Sequence, residues 1–127
     1  MTTLVLDSGA FIGVENNDRR VLSGVQRARD LGWGVRTTAG VVAEVWRTGD
    51  GRQAPLAALL KGIEIMAVDD ELGRAAGRLL AVSPLGGAVD ATVVAAARVD
   101  DTILTSDEKE IAALVAASGR HIDVARC

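Results

Sequence analysis

Four acidic residues stand in apolar surroundings that suit an acid poorly. Asp7 ends the run TLVLD, Glu44 lies within VVAEVWR, Asp90 lies near the start of AVDATVVAAARV, and Asp107 follows DTILTS. Acidic side chains are seldom buried unless a partner compensates their charge. Asp7, Asp90 and Asp107 could each cap a helix, and Glu44 could lie on the rim of one. The alternative is that folding brings all four together for a chemical purpose.

Electrostatics limits what such a cluster can be. Two carboxylates about 5 Å apart repel by roughly 3 kcal/mol at an effective dielectric constant of about 20, so four together cost on the order of 10 kcal/mol. The net stability of a domain is only about 5–15 kcal/mol. Some of the acids must therefore be protonated, or a cation must lie among them. Oxygen ligands suit Mg²⁺ or Mn²⁺, whereas a single His121 and a single Cys127 argue against a zinc site.

A divalent ion held by carboxylates is typical of sites that cleave phosphodiester bonds. The ion lowers the pKa of bound water, and a second ion can stabilise the leaving oxygen of an in-line displacement. The net charge of −3 does not suggest nucleic acid directly, but a metal-loaded cluster would attract phosphate. Four arginines in residues 19–29 fit a solvent-facing helix. Arginines outside the site could also hold a phosphate backbone.

The elements that must position these acids follow from hydrophobic periodicity. We predict strands at residues 3–7, 33–38, 63–68, 101–106 and 121–125, and helices at residues 8–17, 18–32, 39–48, 54–62, 69–82, 88–99 and 107–119. The predicted helix termini are Ser8, Asp18, Thr37 or Thr38, Asp69 or Asp70, and Gly119. The other acids suit ordinary positions, with Asp100 and Asp101 in a loop and Glu64 and Asp123 facing outward from strands.

Alternation of strands and helices predicts an α/β domain with a parallel sheet. In such sheets ligands bind beyond the carboxyl ends of the strands. If the first and fourth strands are neighbours, Asp7 and Asp107 emerge at the same edge. The 127 residues, 49% hydrophobic and 24% charged, suit one domain spanning residues 1–127. We expect no signal peptide, no membrane span and no disulfide, and hence a cytoplasmic protein.

At these residues the sequence resembles the PIN-domain family, and within it the VapC-type toxins of bacterial toxin–antitoxin pairs. The matching segments are LVLDSGAF (4–11), VVAEVWR (41–47), IEIMAVDDELGRAAGRLLA (63–81), VDATVVAAA (89–97) and ILTSDEKEIAAL (103–114). The resemblance implies a single PIN domain, with a parallel five-stranded sheet flanked by helices. It also implies a ribonuclease that depends on Mg²⁺ or Mn²⁺.

The resemblance assigns a role to each acid. Asp7, Glu44, Asp90 and Asp107 become the first to fourth acids of a catalytic metal site. Asp7 and Asp90 are expected to be direct ligands, and Glu44 and Asp107 to act partly through water. Ser8 and Ser106 are candidates for supporting hydrogen bonds, although helix capping explains them as well.

Two positions depart from a common family pattern. Many members carry a second hydroxyl or amide where this chain has Gly9, so a side-chain contact is absent there. Glu110 stands where some members have another Asp, and we expect it on an exposed helix position.

The resemblance implies protein partners as well. These are a small cognate antitoxin that covers the acidic site, and a homodimer or a toxin–antitoxin hetero-oligomer. An apolar groove near the first helices, with Phe11, Val14 and Trp46, is a candidate seat for the antitoxin, although such residues also suit a core.

Other functions fit the sequence less well. A phosphorelay receiver domain requires an acidic pair after the first strand and a lysine after the fifth, and neither is present. The segment DSGAFIG lacks the glycine pattern of a dinucleotide-binding turn, and no Walker A phosphate loop occurs. The remaining alternative is a PIN-like scaffold that binds RNA or a partner without cleaving it.

Overall fold

A parallel five-stranded sheet forms the centre of the structure. The computed structural model describes every residue from Met1 to Cys127. Its elements are β1 (Thr3–Leu6), α1 (Ser8–Glu15), α2 (Arg19–Asp30), β2 (Gly34–Thr38), α3 (Ala39–Val45), a 3₁₀ helix (Gly51–Gln53), α4 (Ala54–Lys61), β3 (Glu64–Met66), α5 (Asp70–Val82), α6 (Ala88–Ala96), β4 (Thr102–Thr105), α7 (Glu108–Ser118) and β5 (Asp123–Arg126). The predicted fold class, α/β with a parallel five-stranded sheet flanked by helices, is confirmed.

The order of the strands explains why one edge of the sheet can hold a site. The order is β3-β2-β1-β4-β5, so the chain builds one half of the sheet outward from β1 and then crosses to the other side. β1 and β4 are neighbours with Leu6 opposite Leu104, and Asp7 N donates to Leu104 O at 3.0 Å. The strand order therefore changes direction between β1 and β4, and α1 and α7 begin just beyond the carboxyl ends of these two strands. Ligands usually bind at this point in such sheets.

Burial of the strands accounts for their sequences. All four residues of β1 are buried, as expected for a central strand covered by helices on both faces. The core that surrounds β1 includes Phe11 of α1, Leu56 of α4, Val93 of α6 and Ile111 of α7. α6 is almost wholly apolar because most of its residues are buried. None of the helices combines the length and the apolar composition that a membrane-spanning segment requires.

Several element boundaries differ from the prediction. Asp7, not Ser8, is the N-cap of α1, because its carboxylate accepts a hydrogen bond from Ser8 N. α3 ends at Val45, three residues earlier than predicted, and Trp46 is its C-cap. β5 begins at Asp123, two residues later than predicted. The predicted stop of α7 at Gly119 is confirmed, with φ of 68° in the left-handed region that glycine tolerates.

Asp101 is more than the loop residue that the sequence predicted. It is 1% exposed, and it accepts hydrogen bonds from Thr3 N at 2.9 Å and Arg98 N at 2.8 Å. The buried Arg36 guanidinium lies 3.6 Å from Asp101 and also donates to Ala96 O at 3.0 Å, at the end of α6. This buried pair therefore joins β1, β2, α6 and the start of β4. It lies toward the amino ends of β1 and β4, whereas the predicted site lies beyond their carboxyl ends. Glu64 also pairs with Arg36.

Candidate metal centre

Asp7 occupies the carboxyl end of β1 in a fixed orientation. It is 1% exposed. Its Oδ1 accepts from Ser8 N at 2.8 Å, and its Oδ2 accepts from Thr105 Oγ1 at 2.7 Å. Thr105 Oγ1 in turn accepts from Asp107 N at 2.9 Å. A chain of hydrogen bonds thus links the first predicted ligand to the start of α7, where the fourth lies.

Asp90 lies in the first turn of α6 and is half-buried. Its Oδ2 accepts a hydrogen bond from Gly87 N at 3.1 Å. The preceding loop approaches closely at Gly86, where φ is 86° and an added Cβ would lie 2.9 Å from Leu114 Cδ1 and 3.5 Å from Asp90 Oδ2. Glycine at this position therefore lets the loop hold Asp90 against α7.

Asp107 completes a group of three acids. It occupies the N-cap position of α7, its side chain accepts no capping hydrogen bond, and it is exposed. One carboxylate oxygen from each of Asp7, Asp90 and Asp107 lies within 4.8 Å of the other two. The structure thus brings together three of the four residues that the sequence predicted as metal ligands.

Glu44 lies beside this group but outside it. It belongs to the last turn of α3, it is exposed, and its Oε1 accepts a hydrogen bond from Ser8 Oγ. Ser8 therefore connects Asp7, through its backbone N–H, with Glu44, through its hydroxyl. Glu110, expected on an exposed position, is instead half-buried near Asp90. Both glutamates lie close enough for their charges to act on Asp90.

The acids oppose one another's ionisation. Burial is the main cause that raises the pKa of Asp7; the Thr105 and Ser8 hydrogen bonds lower this pKa, and the charges of Asp90 and Asp107 raise it. Burial is also the main cause that raises the pKa of Asp90; the Gly87 hydrogen bond lowers it, and the charges of Asp107, Glu44 and Glu110 raise it.

These acids fit a divalent cation. Their donors are all carboxylate oxygens, which hard ions such as Mg²⁺ and Mn²⁺ prefer, and their mutual repulsion would be relieved by positive charge. Asp7, Asp90 and Asp107 could hold the ion directly, and Glu44 could act from the outer side.

Sequence reasoning named Gly9 and Ser106 but not their contact, and it did not name Thr105. A Cβ at position 9 would lie 2.1 Å from Ser106 Oγ, so Gly9 leaves space that Ser106 occupies. Thr105 was missed because a threonine in a strand is explained well enough by its β propensity.

The predicted apolar groove has a different lining. Phe11 is wholly buried and does not line a groove. A groove of about 340 Å³ lies between α2 and α4, with Val14, Leu22, Val25 and Leu59 in its walls. Val14 is therefore the one predicted residue that contributes to it.

Comparison with known proteins identifies the fold. No protein-family model and no curated protein matches the chain. VapBC2 from Rickettsia felis, solved with a DNA fragment from its promoter, matches with a TM-score of 0.70 and 13% identity over 99% of both chains. DNA-bound VapBC from Salmonella typhimurium matches with a TM-score of 0.68 and 14% identity over 98% of both chains. At this identity the likeness is one of fold, and it confirms the PIN-like fold expected from the resemblance to VapC-type proteins.

Proposed function

We propose that this protein is a single PIN domain spanning residues 1–127 that hydrolyses RNA phosphodiester bonds with the help of Mg²⁺ or Mn²⁺. The observation that carries the proposal is the convergence of Asp7, Asp90 and Asp107, with carboxylate oxygens within 4.8 Å of one another, at the topological switch point of a PIN-like fold. A bound divalent ion would supply a water of lowered pKa and would neutralise charge on the phosphate.

The chain's own residues orient this chemistry. Ser8 N and Thr105 Oγ1 fix the two oxygens of Asp7, so the deepest acid cannot rotate away from the site. Ser8 Oγ fixes one oxygen of Glu44, which leaves its other oxygen at the exposed side to accept a proton from an attacking water. Asp107 accepts no capping hydrogen bond, so its carboxylate is free to bind an ion.

We further propose that the protein is the toxin of a toxin–antitoxin pair in the cytoplasm, acting as a homodimer or within a hetero-oligomer. Support comes from the two VapBC structures that share its fold. The groove between α2 and α4 offers apolar walls, and it is a suitable seat for a segment of a small antitoxin.

Cleavage of total RNA by wild-type protein and by Asp90→Ala tests the hydrolytic function. Each protein is incubated with Mg²⁺, with Mn²⁺ and with EDTA, and new RNA ends are sequenced. We expect cleavage by the wild type only with a divalent ion and none by Asp90→Ala, while circular dichroism shows that the variant is folded. Asp123→Ala, which removes an exposed acid on β5, serves as the matched control and should cleave normally.

Two outcomes would contradict the assignment. Full activity in a clean preparation of Asp90→Ala would show that the acidic group is not the catalytic site. Metal-dependent binding of RNA by the wild type without any new RNA ends would instead favour a PIN-like scaffold that does not cleave.

A further inference from the structure

A groove of about 490 Å³ adjoins the acidic group on the side of β5. Asp107 belongs to both the groove and the acidic group, so a molecule lying in the groove reaches the candidate metal centre. The volume falls within the range of about 300–1,000 Å³ that ligand sites usually have.

Two cationic side chains line this groove, Lys109 of α7 and Arg126 of β5. Arg126 is paired in the sheet with Thr105, the residue whose hydroxyl holds Asp7. Both cations are exposed, and neither forms an ion pair, whereas Arg36, Arg52 and Arg74 do. Lys109 and Arg126 are therefore available to an anion from solution.

The other lining residues indicate which part of a nucleic acid would lie here. Only Ala112 is hydrophobic and no aromatic side chain is present, so the groove offers no platform on which a base could stack. Lysine, arginine and the Ser106 hydroxyl instead suit phosphate and sugar oxygens. Contacts of this kind set the position of a strand and carry no sequence information.

Acids in the same groove make the binding depend on the metal centre. Asp107, Glu108 and Glu110 also line the groove and would repel phosphate. A divalent ion at the acidic group supplies two positive charges against the three negative charges of Asp7, Asp90 and Asp107, so it weakens the repulsion of phosphate without cancelling it. Glu108 lines the groove but does not belong to the acidic group, so its charge opposes the two cations whether or not an ion is bound.

We propose that Lys109 and Arg126 bind the phosphate backbone of single-stranded RNA beside the scissile bond and position it without reading its sequence. This inference rests on the proposed ribonuclease function and names the path that the substrate takes out of that site.

Binding of fluorescein-labelled single-stranded RNA oligonucleotides of several sequences tests the inference. Anisotropy is measured at a series of salt concentrations with Ca²⁺, which shares the preference for oxygen ligands, and gels monitor cleavage. The variants are Lys109→Ala, Arg126→Ala and Glu108→Gln. Arg98→Ala is the matched control. Arg98 is an exposed arginine that precedes the amino end of β4, whereas the groove lies beyond the carboxyl end of that strand.

We expect Lys109→Ala and Arg126→Ala each to weaken binding of every sequence by a similar factor, roughly three- to tenfold. Each should reduce the slope of log K against log salt by about 0.7, the value for one phosphate contact on a single strand. In steady-state cleavage KM should rise while kcat stays unchanged, because the acidic group is untouched. Glu108→Gln should tighten binding, a gain that misfolding cannot produce.

The outcomes separate this inference from the proposed function. If the wild type cleaves RNA and the groove variants behave like Arg98→Ala, the groove assignment is wrong and the ribonuclease stands. If the variants change binding as expected and the wild type cleaves nothing, the hydrolytic function is wrong and the groove assignment stands.

Discussion

Replacing Asp90 by Asn should stabilise the metal-free protein at neutral pH. The substitution keeps the shape of the side chain, and the amide oxygen can still accept the hydrogen bond from Gly87 N, now 3.1 Å long. It removes one of three carboxylates whose oxygens lie within 4.8 Å of one another. Most substitutions of a hydrogen-bonded residue destabilise a protein, so a gain in stability would be diagnostic of charge repulsion.

The magnitude follows from the spacing of the acids. The carboxylate oxygens lie no more than 4.8 Å apart, and two unit charges at that separation repel by about 3.5 kcal/mol at an effective dielectric constant of about 20. The wild type avoids part of this cost by retaining a proton, and solvent screens the half-buried Asp90. We therefore expect a gain of about 1–2 kcal/mol in the free energy of unfolding. For a domain of this size that corresponds to a rise in Tm of about 4–8 °C.

The gain should depend on pH in a definite direction. Burial, together with the charges of Asp107, Glu44 and Glu110, raises the pKa of Asp90 above its ordinary value of 3.8. Below pH 3.8 the carboxyl is protonated in both the folded and the unfolded chain, so it contributes no difference. As the pH rises, the unfolded chain releases its proton first, and the wild type loses stability until the pH passes the folded pKa. The advantage of Asp90→Asn should therefore grow through this window and then level off.

Thermal melts in EDTA, at a series of pH values and with added Mn²⁺, measure these effects. Asp123→Asn removes an exposed acid outside the group and should change Tm little. Mn²⁺ should raise the Tm of the wild type, because an ion that binds only the folded state stabilises it, by about 2.7 kcal/mol at one hundred times Kd. The increment should shrink in Asp90→Asn. The reasoning fails if the variant is no more stable than the wild type in EDTA and Mn²⁺ leaves the wild-type Tm unchanged.

Two further predictions concern the support of the site. Gly9→Ala should lower the free energy of unfolding by about 1–3 kcal/mol, typical of an overpacked position, because the new Cβ would lie 2.1 Å from Ser106 Oγ. In thermal melts, the double variant with Ser106→Gly should recover part of this loss. No recovery would point to another cause. Asp101→Ala should lower the free energy of unfolding by about 3–5 kcal/mol, since it leaves the buried Arg36 without its buried partner. A urea midpoint close to that of the wild type would contradict this and show that Glu64 alone compensates the charge of Arg36.

The order of elements was predictable because local patterns determine it. The continuous apolar run of β1, the alternation of apolar and polar residues in other strands and the helical spacing in α5 are each visible within a dozen residues. The sequence also predicted that Asp7 and Asp107 follow the ends of β1 and β4. That β1 and β4 lie side by side was not predictable, because the pairing joins residues such as Leu6 and Leu104 that are distant in sequence.

The same reason explains what the sequence did not reveal. Thr105 and Asp101 each bond a partner 98 residues away, and neither residue has a local pattern that distinguishes it from a strand threonine or a loop acid. Glu44 was marked by its apolar neighbours, but its place outside the group of three depends on how α3 packs against α1. Contacts between distant segments, rather than periodicity, determine these roles.

The three acids that converge on the candidate metal centre also lie at the starts of helices. Asp7 is the N-cap of α1, Asp90 lies in the first turn of α6, and Asp107 is at the N-cap position of α7. Three helix N-termini thus place partial positive charge beside the acids, each worth about 0.3–1 kcal/mol at exposed sites. Together they offset only about 1–3 kcal/mol of the repulsion, on the order of 10 kcal/mol, expected for four bare carboxylates. The raised pKa values of Asp7 and Asp90 favour retention of a proton, which relieves a further part of the repulsion. We therefore expect the metal-free protein to fold, and a divalent ion to add stability to the domain rather than be required for its folding.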